Sequence, residues 1–258
     1  MRILFIGDIV GQPGRQMVAR HLKALAGEHG ADIVLANAEN AAAGFGITPS
    51  VGRELFDLGV DLLTSGNHVW DKKEAEAYLA SEVRVLRPAN YPEEVPGRGT
   101  HILRKGPWLV GVLNLQGRAF LPPIDCPFRA ADREIAELQR VTDVILVDFH
   151  AEATAEKQAF GWYVDGRVSA VVGTHTHVQT ADERILPGRT AYITDVGMTG
   201  PRDSVIGIRR EDALARFLTQ MPRRFAPAPG AAQLSAVILD IGEDGRARSI
   251  QRVQLSGD

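Results

Sequence analysis

Short runs rich in Val, Ile and Leu alternate along the chain with amphipathic stretches of helical period. A run with no inside/outside alternation suits a strand covered on both faces, and the stretches between supply the covering helices. The pattern is that of an α/β architecture. Arg2 to Gly7, Asp32 to Asn37 and Val60 to Thr64 read as strands, and Arg15 to Glu28 as a helix with Val18, Leu22 and Leu25 on one face and Gly30 at its C-terminal cap. Thr48-Pro49 predicts an N-cap followed by proline at the first helical position, with the helix ending near Gly59, and Asp71 to Ala80 predicts a third helix.

Between Val83 and Pro127 the rhythm changes. Val83 to Leu86, His101 to Arg104 and Trp108 to Leu115 read as short strands punctuated by prolines, for which antiparallel pairing is expected. A helix over 128–140, a strand over Val144 to Phe149, a short helix over Thr154 to Phe160 and a strand over Val168 to Gly173 follow. Two hairpins, Arg184 to Leu186 with Ala191 to Thr194 and Leu234 to Ile241 with Ala247 to Val253, enclose a helix over Glu211 to Met221. The Pro/Ala-rich stretch Arg224 to Ala232 is the one expected flexible connector. It is too near the end to divide the chain, so residues 1–258 are expected to form one domain.

Composition removes several function classes. With 29 basic and 32 acidic side chains the formal charge is −3, and no dense Lys/Arg run is present, so polymeric nucleic acid and membrane surfaces are not expected partners. The apolar run Ile3 to Ile6 is too short for a signal sequence or a membrane span, and Cys126 as sole cysteine fits a reducing compartment; a cytoplasmic location is expected. Any metal must be held by His, Asp, Glu or Asn.

Those residue types collect at strand ends. Asp8 follows the first strand, Glu39-Asn40 the second, Asn67-His68 the third, His150 a later one, and His175 with His177 another. In α/β sheets ligands bind outside the carboxyl ends of the strands, where residues far apart in sequence converge. Each has a plain alternative: a turn or cap for Asp8, Glu39-Asn40 and Asn67, a hydrogen-bonded core imidazole for His150. Gly173-Thr174-His175-Thr176-His177 is harder to read that way, because in an extended segment the i, i+2 spacing puts both imidazoles on one side. His21, His29 and His101 read as structural. Two divalent ions about 3.5–4 Å apart need a bridging anion, for which Asp8 and Glu39 are suited. With Asn67 and three imidazoles completing the shells, two divalent ions and two carboxylates leave about +2, which attracts a phosphate despite the acidic chain. No Ser or Cys nucleophile with a paired base is evident, so water attacks, and His68 is left as the protonating group. Phe45, between Gly44 and Gly46, either anchors its own loop or stacks on a base; Trp70 and Asp71 read as packing and a helix cap.

The order Asp8, Glu39-Asn40, Gly66-Asn67-His68, His150, Gly173-Thr174-His175-Thr176-His177 resembles the calcineurin-like metallophosphoesterase superfamily over most of the chain. The resemblance implies a four-layer αββα sandwich of two mixed β-sheets flanked by helices. Two departures stand out: Val10 occupies the place of an early histidine, and Glu39 that of a bridging Asp. With Ile6 to Gly11, Asn37 to Asn40, Thr64 to Trp70 and Thr194 to Gly200, they resemble the YmdB-like bacterial 2′,3′-cyclic-nucleotide phosphodiesterases. That resemblance implies that Asn40 replaces the missing histidine, that one metal is held by Asp8, Glu39, Asn40 and His177 and a second by Glu39, Asn67, His150 and His175, that iron or manganese fills the site, and that His68 is the general acid.

The expected reaction is in-line attack of a metal-bridging hydroxide on a 2′,3′-cyclic nucleotide, a small phosphodiester, leaving a 3′-nucleotide. The alternatives are a metal-dependent phosphomonoesterase or nucleotidase with the same site, and a metal-binding regulatory scaffold with little catalysis. An amidohydrolase barrel also uses a His-x-His pair, but on an early strand. Homo-oligomerisation is left open by the sequence.

Overall fold

The computed structural model describes residues 1–257. The chain begins with β1 (Arg2–Ile6), β2 (Asp8–Ile9), α1 (Gly11–His29), β3 (Ile33–Asn37), α2 (Pro49–Asp57), β4 (Leu62–Thr64) and α3 (Ala75–Ser81). It continues through β5 (Thr100–Lys105), β6 (Trp108–Gln116), α4 (Pro127–Gln139), β7 (Ile145–His150), α5 (Thr154–Val164) and β8 (Ala170–Thr174). It closes with β9 (Arg184–Ile185), β10 (Ala191–Ile193), β11 (Met198–Pro201), α6 (Arg210–Thr219), β12 (Ala232–Ile241) and β13 (Ala247–Gly257).

Two sheets form. The first has the order β2-β11-β12-β1-β3-β4 with β13 on β12, and the second β5-β6-β7-β8-β10-β9. Both are mixed: β1, β3 and β4 run parallel while β12 is antiparallel to β1, and β6, β7, β8 and β10 run parallel while β5 and β9 are antiparallel at the edges. The unbroken apolar runs serve two interfaces each. In β1, Ile3 and Phe5 pack between the sheets with Val112, Leu146 and Val172, while Leu4 and Ile6 face α1 with Val18, Leu22 and Leu25. In β7, Leu146 points between the sheets, and Ile145, Val147 and Phe149 pack on α4 and α5 through Ile135, Leu138, Phe160 and Val164. Three apolar layers separate four structural ones, which is the αββα sandwich.

Local differences have local causes. Helix α1 starts four residues before the expected Arg15, because Gly11 takes φ 59° and its amide donates to Asn40 O at 2.9 Å, with Pro13 in the first turn. Thr48 caps α2 as expected, accepting from Val51 N. Val83 to Leu86 is not an antiparallel strand: Val85 and Leu86 make single parallel bridges to Leu63 and Arg98. Of the expected antiparallel region only the β5–β6 pair is antiparallel, since β6 turns parallel to β7. The Arg224 to Ala232 stretch is tied down: Arg209 N donates to Ala226 O, and Ala228 N to Gly207 O. Among the described residues no helix is long and apolar enough to cross a membrane.

Candidate metal centre

The carboxyl ends of β1, β3, β4, β7 and β8 open on one side of the sandwich and carry the expected residues to one place. Asp8, Glu39 and His150 are fully buried, Asn40 nearly so, and Asn67, His68, His175 and His177 half-buried. Two glycines make room. A Cβ at Gly66 would overlap the His150 ring, and one at Gly173 would overlap Thr194 O.

His150 Nε2 is the geometric hub. It lies 3.1 Å from Glu39 Oε1, 3.0 Å from Asn67 Oδ1 and 3.0 Å from His175 Nδ1. The outward nitrogen of each histidine has a committed partner, so the inward nitrogen is the one that offers a lone pair once it carries no proton. Thr174 Oγ1 spends its proton on Asp148 Oδ1 at 2.7 Å, so it accepts from His150 Nδ1–H at 2.9 Å. His175 Nε2 donates to Glu152 Oε2 at 3.0 Å, and His177 Nδ1 donates to Ile206 O at 2.8 Å. Such outer partners are how proteins fix the tautomer of a metal-ligating histidine. Glu39, His150 and His175 thus present ligand atoms within 4.8 Å of one another, with the Asn67 oxygen beside them.

A second cluster adjoins the first through Glu39 Oε1. The Asn40 amide nitrogen is 3.1 Å from that oxygen and 3.2 Å from His177 Nε2, which lies 3.8 Å from Asp8 Oδ1. Turning the Asn40 carboxamide over presents its oxygen at the same point. Asp8 Oδ1 is buried with no hydrogen-bond partner, while its Oδ2 accepts from His175 N at 3.2 Å. A buried carboxylate oxygen without a donor, next to imidazole lone pairs, is costly unless a cation sits there. Both clusters therefore fit metal ions, and Glu39 Oε1 faces both.

Electrostatics agree. Burial raises the Asp8 carboxyl to about 6 against the pull of His177 and His150. Burial also works against ionisation at Glu39, but the adjoining His150 outweighs it and holds the carboxyl near 2. Reciprocally, burial lowers His150 while the Glu39 carboxylate prevails and lifts it to about 9. Burial, then the His150 charge, push His175 to about 3, so that ring is neutral. Without metal, a proton on His150 Nε2 sits where the Glu39, Asn67 and His175 acceptors converge.

The His-x-His segment corrects the extended reading. His175 and His177 have φ 102° and 68°, so the chain turns at each, and the two rings serve different clusters. A buried ion pair holds that turn: Lys157 Nζ donates to Asp195 Oδ2 at 2.6 Å and to Thr174 O at 2.7 Å, and Asp195 accepts from Thr176 N, Thr176 Oγ1 and Gly197 N. Lys157, Asp148 and Glu152 are not among the residues the sequence points to, and Thr174 enters there only as part of the His-x-His motif. Asp148 alone carried a signal, as a carboxylate inside the apolar run Val144 to Phe149. Asp71 does not cap a helix as expected: α3 begins only at Ala75, after Glu74, and Asp71 Oδ2 instead accepts from His68 Nδ1 at 2.8 Å.

Over the clusters lies a pocket of about 240 Å³, lined by Glu39, Asn40, His175 and His177 together with His68, Phe45, Glu152, Ile206 and Pro227. A family model described as YmdB-like protein matches residues 4–253. The chain belongs to the YmdB-like family. The 2′,3′-cyclic-nucleotide 2′-phosphodiesterase of Bacillus subtilis (strain 168) is 51% identical, across 100% of this chain and 98% of that one. A crystal structure of a hypothetical protein from Thermus thermophilus superposes with TM-score 0.95 at 46% identity, covering 100% of both chains. That of a novel phosphatase from Mycoplasma pneumoniae superposes with TM-score 0.93 at 33% identity, covering 99% of this chain and 93% of the other. In this chain Val10 and Glu39 stand where the superfamily resemblance has His and Asp, and Asn40 stands beside His177, its amide nitrogen 3.2 Å from Nε2.

Proposed function

We propose that this YmdB-like protein is a dinuclear-metal phosphodiesterase that opens 2′,3′-cyclic nucleotides to 3′-nucleotides. Asp8, Glu39, Asn40 and His177 would hold one ion, and Glu39, Asn67, His150 and His175 the other. The observation that carries the reading is the convergence of oriented lone pairs on two adjoining points, with Glu39 Oε1 facing both and Asp8 Oδ1 left without a donor. Iron or manganese suits a donor set of hard oxygens and borderline imidazoles. The identity to the B. subtilis phosphodiesterase supports the substrate class.

Bound at these points, the ions would supply charge compensation for the phosphoryl oxygens and activation of the attacking water. The chain's own residues do the rest. Asp148 and Thr174 fix the His150 ring, Ile206 O fixes His177, and Glu152 fixes His175. His68 lines the pocket with Nδ1 committed to Asp71, which leaves Nε2 to carry the proton for the departing 2′ oxygen. Asp71 orients that ring and balances its charge while both nitrogens are protonated. Phe45, edge-on to His68 with centroids 5.0 Å apart, limits water around the donor. A cytoplasmic enzyme with a small soluble substrate accords with the composition.

The test is turnover by metal-replete protein of 2′,3′-cyclic AMP, a simple monoester and bis-p-nitrophenyl phosphate, with product analysis. Dominant conversion of the cyclic diester to the 3′-monophosphate is expected; a strong preference for the monoester would refute the assignment.

A further inference from the structure

We propose that the apolar half of this pocket is a nucleobase cleft whose jaws are Phe45 and Ile206, and that it holds the base without reading its hydrogen-bonding edge. The inference rests on the phosphodiesterase reading and extends it to the part of the substrate that does not react.

The pocket lining divides by chemistry. Its polar members are Glu39, Asn40, His175 and His177 with His68, Glu152 and Thr176, whereas Val10, Phe45, Ile206, Ile208, Ala226 and Pro227 make a contiguous apolar wall. No amide, hydroxyl or charged side chain stands on that wall, so a base placed against it finds apolar contact and a ring to pack on. Stereochemistry fixes the direction. The 2′ oxygen that leaves beside His68 is borne by C2′, and the base is attached to the adjacent C1′. A base therefore emerges next to His68, and Phe45 is the aromatic ring packed there, with its plane at 64° to the imidazole.

The wall is built at a conformational cost. Ile206 takes φ 47°, a region that β-branched residues avoid, and is followed by Gly207 at φ 93°. That turn directs the Ile206 carbonyl to His177 Nδ1 and leaves the side chain 48% exposed. On the other jaw Ala43, Gly44 and Gly46 also have positive φ. The two sides meet through glycines: a Cβ on Gly207 would lie 2.8 Å from Val10 Cγ1, and one on Gly44 3.0 Å from Pro227 Cγ. Strain of this kind persists where the surroundings impose it, and here it sets a ligand and a pocket wall at once.

The experiment measures binding of the four nucleoside 3′-monophosphates and of ribose 3-phosphate, which lacks a base, to metal-replete wild type, Phe45→Ala and Ile206→Gly by titration calorimetry. Ile206→Gly keeps the carbonyl and relieves the strained φ, so the His177 contact survives. Wild type is expected to bind each nucleotide about 5- to 150-fold more tightly than ribose 3-phosphate, the range of one base–aromatic stack. Each variant is expected to lose most of that ratio with ribose 3-phosphate binding unchanged. The four nucleotides are expected to agree within about tenfold, since a site that hydrogen-bonds its substrate discriminates far more strongly. A ratio near one in wild type, an undiminished ratio in both variants, or a wider spread among bases overturns the cleft. Turnover of 2′,3′-cyclic nucleotides is measured on the same samples: its absence refutes the phosphodiesterase reading, while the binding ratios still judge the cleft.

Discussion

Thr174→Val removes one hydroxyl and tests the way the centre is held. In the structure that hydroxyl donates to Asp148 Oδ1 at 2.7 Å and accepts from His150 Nδ1 at 2.9 Å. Valine is nearly isosteric, so the fold is kept while these two linked hydrogen bonds go, along with a longer one that the hydroxyl accepts from Asn37 Nδ2 at 3.4 Å. Asp148 retains Thr64 Oγ1 at 2.5 Å and Asn37 Nδ2 at 3.0 Å, both on Oδ2, leaving Oδ1 buried without a donor. That orphan costs about 1–3 kcal/mol of stability. His150 then has no partner fixing its tautomer, and loss of such a partner weakens metal binding about 10- to 100-fold, or about 1.4–2.7 kcal/mol. Chelator competition with Mn²⁺ on wild type, Thr174→Val and Thr174→Ser reads the effect directly. Thr174→Ser keeps the hydroxyl and is expected to stay near wild type. Unchanged Mn²⁺ affinity in Thr174→Val, or equal losses in the valine and serine variants, would refute the role given to the hydroxyl.

His68→Ala is expected to keep both metals by elemental analysis and to lose about 100- to 10,000-fold in kcat, and Asp71→Asn to lose less, both measured with 2′,3′-cyclic AMP. Metal uptake must expel the proton from His150, raised to about 9, and below about 6 also one from Asp8; affinity therefore falls as pH drops, most steeply below 6. Calorimetry in buffers of differing ionisation enthalpy is expected to count about one proton released at pH 7.5 and nearly two at pH 5.5. Lys157→Met leaves the Asp195 charge buried and unpaired, which costs about 3–5 kcal/mol in urea unfolding; the double change to Met and Asn is expected to recover part of it.

Much of this centre was legible because it sits on backbone that sequence describes well. Asp8, Glu39, Asn67 and His150 end apolar runs, and a strand end points its residues into the crevice of an α/β sheet whatever the strand order. The four layers follow from runs that are apolar at every position, such as Ile3 to Ile6. What escaped depends on tertiary contact or on unusual φ. Nothing in the residue types of His175, His177 and Ile206 announces a left-handed backbone; the Lys157–Asp195 pair, bonded to Thr174 and Thr176, holds the first two, and the Ile206 carbonyl is tied to His177 Nδ1. Thr174 and Glu152 matter through partners far along the chain, Asp148 and His175. The pairing of β2 with β11 joins two short segments with no propensity signal, and the Pro/Ala-rich stretch supplies the pocket wall because backbone bonds dock it, not because of its composition.

The central claim is that Asp8, Glu39, Asn40, Asn67, His150, His175 and His177 grip a pair of ions. Anomalous scattering from crystals equilibrated with Mn²⁺ tests it most directly. Two peaks about 3.5–4 Å apart on either side of Glu39 Oε1 are the expected result. A map with one peak, none, or peaks away from these side chains would contradict it.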